Sequence, residues 1–147
     1  MPIQPSELPP FCAPYASDDR AMALRLLRAA RLDAAQETRI DRTATRLIEA
    51  IRAASDIPIS IDTMKPAVAR AAVKAGATIW NDVTALGHAS DSLAVAAELG
   101  CDVVLMHMQG EPRSMQAAPQ YDDVVAEVHR FLAERIFAAE MAGIAKK

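Results

Sequence analysis

Three short runs in this chain end on polar groups that can read the edge of a ligand. Pro58-Ile59-Ser60-Ile61 leads to Asp62-Thr63, Thr78-Ile79-Trp80 to Asn81-Asp82, and Val103-Val104-Leu105-Met106 to His107. A carboxylate accepts from neighbouring N–H groups, and a carboxamide both donates and accepts. A polarizable thioether such as Met106 packs well against a flat ring. Apolar, β-branched runs that finish this way are the pattern of buried parallel strands whose C-terminal ends project into a shared site. Simpler readings exist for each group. Asp62 can be a loop or N-cap carboxylate before the helix at Pro66, Asn81-Asp82 a turn after a strand, and Met106 plain core.

The elements that must position these groups alternate. An amphipathic helix is expected over Glu37–Ala54, with Ile40, Ala44, Leu47, Ile48 and Ile51 on one face. The strand Pro58–Ile61 precedes a helix from Pro66 to Ala75, with proline suited to the first turn and Gly76 to a left-handed stop. The strand Thr78–Trp80 precedes a helix over Ser90–Leu99, stopped by Gly100. The strand Val103–Met106 precedes a proline-broken loop over Gly110–Gln120. The last helix carries a stripe of Tyr121, Val124, Val125, Val128, Leu132, Ile136 and Ala139 up to Gly143, with Asp122 and Asp123 in its first turn. Strands separated by helices demand parallel pairing and crossover connections.

These words resemble dihydropteroate synthase. The most specific stretch is Leu105-Met106-His107-Met108-Gln109-Gly110 followed by Pro112, Met115-Gln116, Pro119 and Tyr121. The resemblance covers about residues 37 to 147 and implies part of a TIM (β/α)8 barrel, its third to fifth strands with flanking helices. It further implies a transferase of folate synthesis, joining a 6-hydroxymethyl-7,8-dihydropterin pyrophosphate to 4-aminobenzoate. By resemblance Asp62, Asn81 and Met106 contact the pterin. Asp82 is an acceptor behind Asn81, and His107 is a signature residue best read as a hydrogen-bonded structural histidine. His88 and His129 read as loop and exposed-helix residues, and Arg113 as a solvated cation. A related barrel that binds methyltetrahydrofolate for methyl transfer is the alternative family, and the LMHMQG loop argues against it.

The family's first, second, sixth, seventh and eighth strand words do not occur in this sequence. By resemblance the first, second, seventh and eighth strand ends carry the groups that assist the departing pyrophosphate, so no catalytic residue is expected in this chain and turnover by it alone is expected to fail. Magnesium is implied by resemblance only, its ligand strand being among those words, and no metal ligand is expected in this chain. A non-catalytic pterin-binding module and an inactive truncated product are the other readings.

A complete barrel of this type takes about 250 residues, and this chain has 147. Residues 1–36 hold Pro2, Pro5, Pro9, Pro10 and Pro14 ahead of a helix expected over Arg20–Leu32, and resemble nothing in the family. With 52% hydrophobic but 4% aromatic residues, the core is expected to be aliphatic. A net charge of −3 with both signs interspersed argues against nucleic acid or an anionic membrane as partner. No apolar run approaches the roughly 18 residues that span a bilayer. The first residues hold no basic region followed by an apolar block, so a signal peptide is not expected, and Cys12 and Cys101 lack metal or disulfide spacing, which suits a reducing cytoplasm. Three strands leave two bare sheet edges, so self-association is expected.

Overall fold

A computed structural model describes residues 34–146, with side chains from residue 42 onward. The expected Pro-rich tail and the helix over Arg20–Leu32 lie outside the described residues. The described elements are α1 (Ala34–Ala54), β1 (Ser60–Asp62), α2 (Pro66–Ala75), β2 (Ile79–Asp82), α3 (Ser92–Leu99), β3 (Asp102–Leu105) and α4 (Val124–Met141). The strands form one parallel sheet in the order β1-β2-β3. The expected α/β alternation with three parallel strands is what the chain builds.

Local chemistry sets the boundaries. Pro66 opens α2, where its missing N–H is no loss. Gly76 ends it at φ 117°, donating to the carbonyls of Ala72 and Val73. A side chain there would meet Arg52, whose Cγ lies 2.9 Å from an ideal Cβ position. Arg52, in the last turn of α1, donates to the Gly76 carbonyl through Nε at 3.2 Å and Nη2 at 2.8 Å, tying α1 to the end of α2. Gly100 closes α3 in the left-handed region at φ 61°.

The last helix begins later than its stripe implies. Asp123 is its N-cap, accepting from the Ala126 amide at 3.0 Å, and Glu127 reaches back to the amides of Asp122 and Asp123. Asp122 and Asp123 therefore stand before the first turn, and Tyr121 lies outside the helix. β1 and β2 also extend further than expected at their polar ends, whereas β3 ends at Leu105. Asp62, Asn81 and Asp82 are strand residues paired in register, with Asp62 opposite Asn81 and Asp82 opposite Leu105. Met106 falls just beyond β3.

The sheet has one covered and one open face, because side chains alternate along a strand. Ile61, Trp80 and Asp82 point to the covered side and are 1%, 0% and 0% exposed. There α2 and α3 pack on each other, with Ala69, Ala72, Val95 and Ala96 buried. Alanines at those positions let the helices come close. The core is thus aliphatic at its helices but centred on the chain's single tryptophan. Ser60, Asp62, Asp102 and Val104 are exposed on the opposite face, with Ile79 and Asn81 half-buried beside them.

α4 packs against α3 and β3, but much of its expected stripe is not core. Val124, Val125 and Ile136 are exposed, as are Phe137 and Met141. The apolar surface of this helix is wider than the described neighbours can cover. No helix among the described residues is long and apolar enough to cross a membrane.

Candidate functional site

The open face gathers the pair that matters most. Asp62 and Asn81 are direct register partners at the C-terminal ends of β1 and β2. The Asn81 carboxamide donates to the Asp62 carboxylate, and Val104 stands on the other side of Asn81 in the sheet. Met106 follows directly after β3 and is half-buried. The structure therefore brings Asp62 and Asn81 together at one end of one sheet face, with Met106 just beyond the neighbouring strand end.

The electrostatics at Asp62 oppose one another. Partial burial raises its carboxyl above the ordinary value of 3.8, the Asn81 hydrogen bond pulls it down, and the charge of Asp82 pushes it up further. The result is a carboxylate that takes up a proton more readily than a free aspartate.

Backbone bonds hold the two strand ends together. The Thr63 amide donates to the Asn81 carbonyl at 3.0 Å. The Trp80 indole Nε1 donates to the Thr63 carbonyl at 2.7 Å from the covered side. Trp80 is thus both the largest buried side chain and a positioning group behind Asp62.

Asp82 does not orient Asn81 as the sequence reading expects. Adjacent strand residues point to opposite faces, so Asp82 lies on the covered side. Its Oδ1 accepts from the Thr84 amide at 2.8 Å and the Thr84 hydroxyl at 2.7 Å. Its Oδ2 is buried with no hydrogen-bond partner among the described residues. The turn it supports holds Ala85 at φ 52° and Leu86 at φ 60°. Left-handed backbone costs a residue with a side chain roughly 1–2 kcal/mol. Both residues are nearly fully buried, and Arg135 of α4 donates to the Ala85 carbonyl through Nε at 2.8 Å.

His107 packs as a ring. Its centroid lies 4.9 Å from Phe131, edge-on, and 5.8 Å from Tyr121. His88 and His129 are exposed, as is Arg113. The loop after His107 is closed at its neck by Gln109. That side-chain amide donates to the Gln120 carbonyl at 2.6 Å and accepts from the Gln120 amide at 2.9 Å, imitating a backbone pair. Sequence reasoning missed Trp80, Thr84, Gln109 and Arg135. A signal existed only for Gln109, whose loop is flanked by a second glutamine.

Chemically, the arrangement offers acceptors and a donor on an open sheet face where Ile79 and Val104 are the apolar neighbours. Among the described residues no three His, Cys, Asp or Glu converge as a metal-holding group. Asp62 and Asp82 lie on opposite faces of the sheet.

Residues 28–147 match the model of the family described as Pterin binding enzyme. The chain belongs to the pterin-binding enzyme family. Among curated members, dihydropteroate synthase of Escherichia coli is 50% identical over 101 residues, covering 69% of this chain and 36% of that protein. The Synechocystis dihydropteroate synthase is 39% identical over 98 residues, covering 67% and 34%. The chain thus spans about a third of the curated pterin-binding enzymes it matches. Dihydropteroate synthase from Stenotrophomonas maltophilia superposes with a TM-score of 0.72 at 54% identity, over 80% of this chain and 43% of that one. The Xanthomonas albilineans synthase in complex with 7,8-dihydropteroate gives a TM-score of 0.62 at 55% identity, over 71% and 36%. As part of a TIM barrel, the open face of this sheet corresponds to the side that turns inward.

Proposed function

We propose that this chain is the pterin-recognising segment of a dihydropteroate synthase. The observation that carries the reading is the Asp62–Asn81 pair, in register at the C-terminal strand ends on the sheet's open face. Asp62 accepts from the N–H groups on the pterin edge, Asn81 supplies a donor and an acceptor beside it, and Met106 lies against the ring. Calorimetric titration of the chain with a 7,8-dihydropterin tests this. Saturable heat lost in Asp62→Ala supports it, and heat unchanged by that substitution overturns it.

The reaction proposed for the larger assembly is displacement of pyrophosphate from the pterin methylene by the amine of 4-aminobenzoate. Charge on the departing group needs cations and donors aimed at it. Asp62, Asn81 and Met106 supply none, so magnesium and catalytic groups belong to barrel strands beyond this segment. The chain alone therefore binds without turnover. Dihydropteroate formed above a blank from the pterin pyrophosphate, 4-aminobenzoate and Mg²⁺ would contradict this.

A second proposal concerns partners. β1 and β3 are outer strands of the sheet, Val104 is 47% exposed, and α4 presents Val125, Phe137 and Met141 to solvent. These surfaces support association of one copy with another, which size-exclusion chromatography across a concentration series would read. The cytoplasm is the compartment we assign, supported by two cysteines without paired spacing and no charge excess for nucleic acid.

A further inference from the structure

The turn after β2 contains two consecutive buried left-handed residues that are not glycine, just beyond the strand end proposed to read the pterin. Strain of this kind persists only where surroundings impose it. The local supports are the Asp82 carboxylate on Thr84, the Ala85 amide on the Asp82 carbonyl at 3.0 Å, and the Gly87 amide on the Thr84 carbonyl at 3.0 Å. One support comes from fifty residues away, the Arg135 guanidinium on the Ala85 carbonyl.

The helix that supplies Arg135 also supplies Phe131, which packs edge-on against His107 beyond β3. The two residues are four apart and so share a helix face. One face of α4 therefore stands behind two of the three strand ends.

We infer that Arg135 is a positioning residue for pterin recognition, holding the left-handed turn Thr84–Leu86 and through it the end of β2 that carries Asn81. The inference rests on the reading of Asp62 and Asn81 as pterin contacts. Strand pairing on both sides fixes the Asn81 backbone in register. The clamp adds control over where β2 leaves the sheet, which decides the direction of the carboxamide. Losing a hydrogen bond to a half-buried carbonyl removes the counterweight to the strain, and the turn relaxes toward right-handed backbone.

The test compares wild type, Arg135→Met, Arg135→Lys and Thr84→Val by NMR and by 7,8-dihydropterin titration. Arg135→Met keeps the apolar stem and removes the donor, whereas Arg135→Lys restores a donor. The Asn81 carboxamide signals are expected to move in Arg135→Met, with faster hydrogen exchange at Ala85, and to return toward wild type in Arg135→Lys. Pterin affinity is expected to fall about tenfold in Arg135→Met, or about 1.4 kcal/mol, and less in Arg135→Lys. Unmoved Asn81 signals in a folded Arg135→Met overturn the inference whether or not wild type binds pterin. Failure of wild type to bind counts against the pterin reading alone. If Arg135→Met does not fold, Thr84→Val decides, since unmoved Asn81 signals in a turn that has lost the Thr84 hydroxyl bond to Asp82 remove the link from turn to carboxamide.

Discussion

Asp62 and Asn81 face each other across the β1–β2 pair, with the Asn81 carboxamide donating to a carboxyl that burial and Asp82 push above 3.8. In that pair the acceptor that a pterin needs is the ionised form. Binding is therefore expected to weaken as pH falls through the raised pKa, at a higher pH than an unperturbed aspartate would allow. Titrations across acidic pH read this, and a midpoint at or below 3.8 would remove the electrostatic argument.

The same shift has a stability consequence of definite sign. Folded Asp62 keeps a proton that the unfolded chain has already released, so stability falls as pH rises from 3.8 to the raised pKa and stays lower above it. Asp62→Asn has no such ionisation. Urea unfolding is expected to show Asp62→Asn at least as stable as wild type at neutral pH, the difference shrinking below 3.8. Pterin binding is expected to fall at least tenfold in the same variant.

Trp80→Phe keeps an aromatic ring but removes the donor to the Thr63 carbonyl. An orphaned buried acceptor costs about 1–3 kcal/mol, and the missing ring leaves a void in the centre of the core. Chemical denaturation should show a loss of at least about 1 kcal/mol; a smaller loss would mean that water or a rearranged turn satisfies Thr63.

Gln109→Ala opens the neck of the Gly110–Gln120 loop while leaving the sheet intact. Cleavage by trypsin after the exposed Arg113 is expected to accelerate several-fold, with the midpoint of unfolding nearly unchanged. Equal cleavage rates would show that the His107–Tyr121 ring contact holds the loop by itself.

Gly76→Ala strikes two features at once, a φ of 117° and an Arg52 methylene 2.9 Å from the new carbon. A loss of about 1–3 kcal/mol is expected from the backbone alone. Denaturant unfolding should show a larger loss than in Gly100→Ala, where φ is 61° and no atom lies within 4 Å of the added carbon.

The alternation of elements is legible in the sequence because Pro66, Gly76 and Gly100 are punctuation with a fixed physical meaning. Apolar runs alone place β1 and β2 one or two residues early and β3 one residue late. Polar Asp62, Asn81 and Asp82 read as loop, although parallel pairing with neighbours carries them into the ladder. Asp62, Asn81 and Met106 stand out because apolar runs end on them. Adjacency to Asn81 gives Asp82 the wrong neighbour, since closeness in sequence hides opposite orientation in a strand. Arg135 leaves no local mark at all, because its partner is a backbone carbonyl fifty residues away.

The indole behind Asp62 has one more consequence. The chain has a single tryptophan, so every photon its indole emits comes from the seam between β1 and β2. Loosening of that seam wets the ring and reddens its emission, while a pterin bound as proposed on the opposite face would accept its excitation energy. The protein thus carries an intrinsic optical gauge of its own site, readable in a cuvette without any label.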